Sequence, residues 1–342
     1  MPTLQLQVKT PCKRKSLKLE STKTSAMKFP KNTFAVFTVF VLSIFFISSC
    51  TKTNINNEDV NATLGGNVKR EAIMITTPTV NVRYLGHRGA GSNNYNAVNM
   101  ENSIPSILEA LKVMDGVEVD LQMSRSGTIW LFHDADINRT LCKPGAPRSI
   151  LNMYDNEIAK LELCSRTKSG RVYKLAELVS LWNSRAPFYI AMHVKDDFTP
   201  AFYNSIGGRS NYLRKFADAL AKEIELSSLK HSADRFLVEQ EDLVLPDALR
   251  KYPVGKQVKY YIFNYKSFNS MVADALTLGY DGVSCNFTDR TLSATNIKSA
   301  HEKGLSVMVW TPYSDKEVQK VYNMKPDFIQ TDQTNVKKDL KL

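Results

Sequence analysis

The chain has 342 residues, 43% of them hydrophobic, enough for a substantial core in one large domain or two ordinary ones. Its formal charge of +11 invites a nucleic-acid reading, but eight Lys or Arg among residues 1–50 stand against Glu20 alone, so that stretch holds +7 and leaves about +4 for the rest. The mildly basic remainder offers no extended footprint for a phosphate backbone, which excludes nucleic acid as a partner.

Phe34 to Ser49 is an uncharged apolar run of sixteen residues preceded by Lys28 and Lys31. It is too short and too one-sidedly flanked for a spanning helix. It closes on Ile47-Ser48-Ser49-Cys50, which resembles the bacterial lipoprotein signal. That resemblance implies cleavage before Cys50, a lipid on its sulfur, and export to the periplasmic or cell-surface side of a bacterial membrane. Met27, just before the signal, is an alternative start of translation. A plain membrane anchor with a chance cysteine is the competing reading, and it too puts the globular part outside the cytoplasm. Residues 1–49 then form a leader and 50–79 a lipidated tether, since Thr51 to Pro78 is rich in Asn, Thr and Gly without a sustained period. Residues 80–342 form a single domain.

Val82 to His87 reads as the first strand and Gly89 to Met100 as a loop. Ser103 to Val113 carries Ile104, Ile107, Leu108 and Leu111 as a helical stripe, with Pro105 tolerated in the first turn. In Val117 to Gln122 a period of two puts Glu118 and Asp120 on one strand face. Two carboxylates so placed repel and desolvate each other unless a cation sits between them, which makes the pair half of a metal site of hard oxygen ligands. The next strand, Ile129 to His133, ends in histidine as the first does. Two histidines beside a carboxylate pair are the parts of metal-assisted acid/base chemistry.

Cys142 and Cys164 both fall in the polar connection that follows and, in an exported chain, are expected to pair, whereas Cys285 reads as a buried free thiol. From Leu175 onward helices alternate with strands at Pro187 to Val194, Phe236 to Glu239, Gln257 to Phe263, Gly282 to Cys285, Ser306 to Trp310 and Asp327 to Gln330. Such alternation indicates a parallel sheet, and the closed form that fits the length is a (β/α)8 TIM barrel. An open doubly wound sheet is the alternative, weakened because no Gly-rich phosphate fingerprint follows the first strand. Nine strand candidates compete for eight places, so one is peripheral. In a barrel the strand-end residues His87, Glu118, Asp120 and His133 converge at one mouth.

The ordered series His87-Arg88-Gly89, Glu101-Asn102-Ser103, Glu118-Val119-Asp120 and His133-Asp134 resembles the glycerophosphodiester phosphodiesterase family. The likeness runs from about Val82 to the C-terminus and includes Val309-Trp310-Thr311 and Ile329-Gln330-Thr331-Asp332. It implies a hydrolase that cleaves a small glycerophosphodiester to sn-glycerol 3-phosphate and an alcohol, with a divalent cation, Mg2+ or Ca2+, as cofactor. It further implies the cation on Glu118 and Asp120 with Glu101 close by, His87 and His133 as acid and base, Arg88 and Lys195 on the phosphate, and Trp310 against the glycerol group. The resemblance also allows the attacking oxygen to be the neighbouring glycerol hydroxyl, giving a cyclic phosphate first.

The sequence departs from the family in two places. Where the family has Glu-x-Lys with the Glu as third metal ligand, this chain has His193-Val194-Lys195. A neutral imidazole in place of a charged oxygen disfavours Ca2+ and admits Mn2+ or Zn2+. Glu239-Gln240-Glu241-Asp242 replaces an uncharged strand end; Glu239 and Glu241 are expected as solvated charges, with a substitute metal carboxylate as the other reading. Two further functions compete. One is a sphingomyelinase D type of enzyme acting on membrane lipid; the other is a barrel that has lost turnover and only binds a phosphodiester or glycan. A pure binding site has no need of two titrating histidines.

Overall fold

The computed structural model describes residues 81–92, 97–165, 168–185 and 187–336. The leader, Cys50 and the tether lie outside the described residues. In chain order the elements are β1 (Arg83–Gly86), α1 (Ile104–Ala110), β2 (Gly116–Met123), β3 (Ile129–Leu131), α2 (Asp155–Ile158), β4 (Leu163–Ser165), β5 (Lys168–Gly170), β6 (Tyr173–Lys174), α3 (Leu175–Asn183) and β7 (Tyr189–Val194). Then come α4 (Pro200–Tyr203), α5 (Arg209–Glu225), β8 (Phe236–Gln240), α6 (Val244–Leu249), β9 (Lys259–Phe263), α7 (Phe268–Leu278), β10 (Gly282–Asn286), α8 (Ala294–Glu302), β11 (Ser306–Trp310), α9 (Asp315–Asn323) and β12 (Phe328–Thr331). No described helix is long and apolar enough to cross a membrane.

Eight of these strands run parallel and close on themselves in the order β1, β2, β7, β8, β9, β10, β11, β12, with β12 returning to β1. The chain is a (β/α)8 barrel. The surplus strand is β3: it pairs antiparallel to the outer half of β2, Leu121 opposite Leu131, and leads the β2 to β7 excursion away from the barrel. A four-residue turn, Ser124 to Gly127, is too short for a crossover, so β3 must reverse direction.

Strand alternation divides the core. Outward residues such as Val117, Ile190, Val238 and Val307 pack against the helices. Inward residues Leu85, Ala191, Leu237, Met308 and Phe328 fill the barrel base. Two residues further along the same strands the inward set turns polar, at His87, His193, Glu239 and Gln330. The barrel is therefore apolar at its floor and chemically equipped at its C-terminal mouth.

The excursion has its own small core of Trp130, Phe132, Ile150, Met153 and Leu163 among others. Cys142 and Cys164 form a disulfide there, with Cα atoms 4.7 Å apart and a separation of 22 residues, as expected, and Cys285 is buried and unbridged. Closing a loop of that length contributes on the order of 3 kcal/mol in the chain-entropy account. Cys142→Ser/Cys164→Ser should lower the free energy of urea unfolding by about that much, with the barrel still folded by circular dichroism. An unchanged urea midpoint would show that the bridge contributes nothing.

Candidate active site

The loop after β1 places two site residues by its backbone. Arg88 has φ of 53° and Gly89 φ of 89°. A Cβ on Gly89 would lie 2.6 Å from Ser106 Oγ, so only glycine fits this turn. Within it the Arg88 N–H donates to Glu118 Oε2 at 2.9 Å. The Arg88 side chain lies against two more carboxylates, with Nη1 donating to Glu101 Oε1 at 3.1 Å and Nε 3.1 Å from Asp120 Oδ2.

Glu118 and Asp120 face inward from β2, each 2% exposed. Register places Asp120 opposite His193 on β7, and His193 opposite Glu239 on β8. Glu118, Asp120 and His193 each offer a ligand atom within 4.8 Å of the others, the one such donor group among the described residues. Two buried carboxylates and an imidazole at this spacing suit a divalent cation of hard to borderline character. The electrostatics agree. Burial, reinforced by Asp120 and Glu239, pushes the Glu118 carboxyl well above its ordinary range. Burial also acts upward on Asp120, but Arg88 and the His193 hydrogen bond hold it well below. Burial lowers the His193 imidazole, with Lys195 and His133 acting in the same direction against Asp120.

Glu101 is not in this donor group. Its Oε1 accepts from Arg139 Nη2 as well as from Arg88. Arg139 Nε donates to Asp134 Oδ2 at 2.6 Å, and Asp134 Oδ1 lies 2.7 Å from His133 Nδ1. Burial raises the Asp134 carboxyl, yet the bonds from His133 and Arg139 outweigh it and keep it low. A continuous polar chain thus runs from Asp120 through Arg88, Glu101, Arg139 and Asp134 to His133. His87 is held likewise, Nδ1 2.7 Å from Asp332 Oδ1 and Nε2 3.9 Å from Glu118 Oε2. Asp332 Oδ1 also accepts from Ser92 N at 3.0 Å.

Lys195 follows β7, is 7% exposed, and has no ion pair with a described residue. Trp310, at the end of β11, stacks on Phe263 at 5.2 Å, and Phe263 in turn meets the His193 ring at 4.3 Å. The Trp310 indole N–H is buried without a hydrogen-bond partner among the described residues.

The expectation for the Glu239 segment needs correction. Glu241 is exposed as expected, but Glu239 is 1% exposed inside the barrel, accepting from Ser284 Oγ and from Gln330 Nε2 at 2.8 Å. The strand runs one residue further than expected, to Gln240, which keeps Glu239 within the inward alternation. Burial pushes its carboxyl up to about 7 against the bonds from Ser284 and Gln330. A folded value above the unfolded one means that metal-free protein loses stability as pH rises from the ordinary carboxyl range through about 7. Glu239→Gln, which keeps an acceptor for Ser284, should remove the share of that slope that Glu239 contributes. It should stabilise the chelated protein by up to about 3 kcal/mol at pH 8 and by nothing at pH 4, read from urea unfolding.

Two site residues carried no role in the sequence reading. Asn102, 4% exposed, clasps Asp120 twice, donating Nδ2 to Asp120 Oδ2 and accepting from Asp120 N, both at 3.0 Å. Asp332 orients His87. Both stood in motifs of the family resemblance, Asn102 in Glu101-Asn102-Ser103 and Asp332 in Ile329-Gln330-Thr331-Asp332, but nothing local in the sequence pointed to the partners they hold.

A family model described as the glycerophosphoryl diester phosphodiesterase family matches residues 87–336. No curated protein matches. Among solved structures, a protein of Silicibacter pomeroyi described as a glycerophosphoryl diester phosphodiesterase is similar with a TM-score of 0.64 at 19% identity, covering 78% of this chain and 95% of its own. A Galdieria sulphuraria protein described as a glycerophosphodiester phosphodiesterase gives 0.62 at 20%, covering 77% and 99%. An Oleispira antarctica phosphodiesterase in complex with the product sn-glycerol-3-phosphate gives 0.59 at 15%, covering 76% and 97%.

Proposed function

The chain belongs to the glycerophosphoryl diester phosphodiesterase family and is a glycerophosphodiester phosphodiesterase, and from that premise we propose that it releases sn-glycerol 3-phosphate and an alcohol by histidine acid/base catalysis in a metal-dependent site. The observation that carries this reading is the pair of imidazoles beside the donor cluster. Each is anchored by a carboxylate at Nδ1, 2.7 Å away, which fixes the tautomer and leaves Nε2 for proton transfer.

In this reading Glu118, Asp120 and His193 would hold a divalent cation, which would supply positive charge against the phosphoryl oxygens. Mg2+, Mn2+ and Zn2+ suit the donor set better than Ca2+, because His193 supplies nitrogen where a carboxylate would supply charge. One imidazole takes the proton from the attacking oxygen and the other protonates the departing alkoxide. Lys195, buried and without an acidic partner among the described residues, meets the developing negative charge. Arg88 is pre-positioned by Glu101 and Asp120 and contributes the hydrogen-bond donors they leave unused. Phe263 and Trp310 present an apolar wall for the glycerol carbons.

The test is release of glycerol 3-phosphate from a panel of glycerophosphodiesters, with and without chelator. Release that chelation abolishes supports the proposal. Preference for sphingomyelin would transfer it to the membrane-lipid alternative, and no turnover with any divalent cation would leave a binding protein. We place the enzyme outside the cytoplasm, tethered through lipid on Cys50, from the signal-like segment alone. Cys50→Ala should block lipid labelling and leave the precursor uncleaved; normal lipidated protein from that variant would overturn the assignment.

A further inference from the structure

The barrel face opposite the catalytic mouth holds a cavity of about 830 Å3 under the starts of β1, β2 and β7. Arg83, Arg185 and Arg235 line it. None of the three has an ion pair with a described carboxylate. Arg83 and Arg235 instead rest on one aromatic ring, their guanidinium carbons 5.0 and 4.9 Å from the Tyr189 centroid. Tyr189 thus carries both cations, and no described carboxylate pairs with either. The single acidic residue in the lining, Asp115, accepts from Tyr84 N at 2.9 Å. Tyr84 also lines the cavity; it is 2% exposed, and its phenol oxygen is buried with no hydrogen-bond partner among the described residues. Three guanidinium groups lining one cavity, none with an ion pair to a described carboxylate, favour an anionic ligand there.

We propose that this cavity is a second ligand site, for a molecule that carries a phosphoryl group. Guanidinium forks match phosphoryl oxygens in pairs, and three of them against one carboxylate favour a dianion over a monoanion. The volume exceeds that of phosphate itself, and Leu111, Met114 and Phe188 in the lining leave an apolar side for an organic remainder. A soluble phosphomonoester and the headgroup of an anionic phospholipid share this chemistry.

Calorimetric titration of the full chain with inorganic phosphate and with glycerol 3-phosphate tests the idea. Lys195→Met suppresses binding at the catalytic mouth, so what remains reports the opposite face. The second event should weaken by roughly tenfold or more, the loss of one charge-assisted contact, in Arg83→Gln/Arg235→Gln. Arg185→Gln, at an exposed position, should weaken it in the same direction without risk to folding. Turnover of a diester should be unchanged in both. If soluble phosphates give no second event, phosphatidylcholine vesicles doped with phosphatidylglycerol should sediment more of the wild type than of the arginine variants, whereas pure phosphatidylcholine vesicles, which the N-terminal lipid alone can engage, should sediment both alike. One phosphate per chain, insensitive to these arginines, together with no difference between the vesicles, overturns the proposal.

Discussion

His87→Gln and His133→Gln should each lower kcat by about 10² to 10⁴-fold, the range for loss of one general acid or base, while leaving the fold intact. Both side chains reach solvent, 14% exposed for His87 and 29% for His133, so their replacement removes little packing. Glutamine keeps a donor and an acceptor but cannot pass a proton. Because the two imidazoles serve opposite ends of one displacement, the double variant should be scarcely slower than the worse single one. Asp332→Asn tests positioning: the amide can still meet His87 Nδ1 but favours the wrong tautomer. It should therefore lower kcat with little change in KM and alter the pH profile, whereas a merely structural role would leave the profile unmoved. Activity near that of wild type in either histidine variant would remove the acid/base assignment.

The fold was legible because alternation of element types survives any single error in boundary placement. Strands and helices alternate along most of the chain, and the count of eight stands whichever of the nine candidates is set aside. The peripheral strand was β3, and the four-residue turn before it held the reason: no helix fits there, so the strand has to return antiparallel. The site residues on one strand, Glu118 and Asp120, were legible because a period of two makes a buried carboxylate pair conspicuous. Glu239 was misjudged because two more acids follow it and the run looks like solvated loop. Burial there depends on Ser284 and Gln330, which are 45 and 91 residues away, and no local pattern reveals partners at that distance. The partners of Glu101 were hidden in the same way, since it meets Arg139 across 38 residues. A guanidinium neighbour and a cation neighbour demand the same carboxylate, and only the tertiary arrangement separates them.

Removing a donor from the Glu118, Asp120 and His193 cluster should weaken metal binding in each case, while the sign of its effect on stability should depend on which donor is removed. Glu118→Gln and Asp120→Asn should weaken cation affinity by more than about 100-fold, beyond the usual cost of losing an outer-shell contact, and turnover should vanish at ordinary metal concentrations. Isothermal titration reads the affinity without reference to activity. In the metal-free state the Glu118 carboxyl is pushed up by burial and by the nearby acids. The folded chain therefore keeps a proton that the unfolded chain gives up, and stability falls as pH rises above the ordinary carboxyl range. Glu118→Gln abolishes that dependence and should make the chelated protein more stable at neutral pH than the chelated wild type. Asp120 behaves differently, because Arg88 and His193 hold its carboxyl well below the ordinary range. Its ionised form stabilises the fold at neutral pH, and that contribution fades only in strong acid, so Asp120→Asn should destabilise the chelated protein. His193→Ala should raise the metal concentration needed for half-activity with a smaller loss at saturation, and His193→Glu should make Ca2+ a better activator by restoring a charged oxygen. Equal metal affinity in wild type, Glu118→Gln and Asp120→Asn would mean that the buried carboxylates answer only to Arg88 and Asn102 and that no cation enters this cluster.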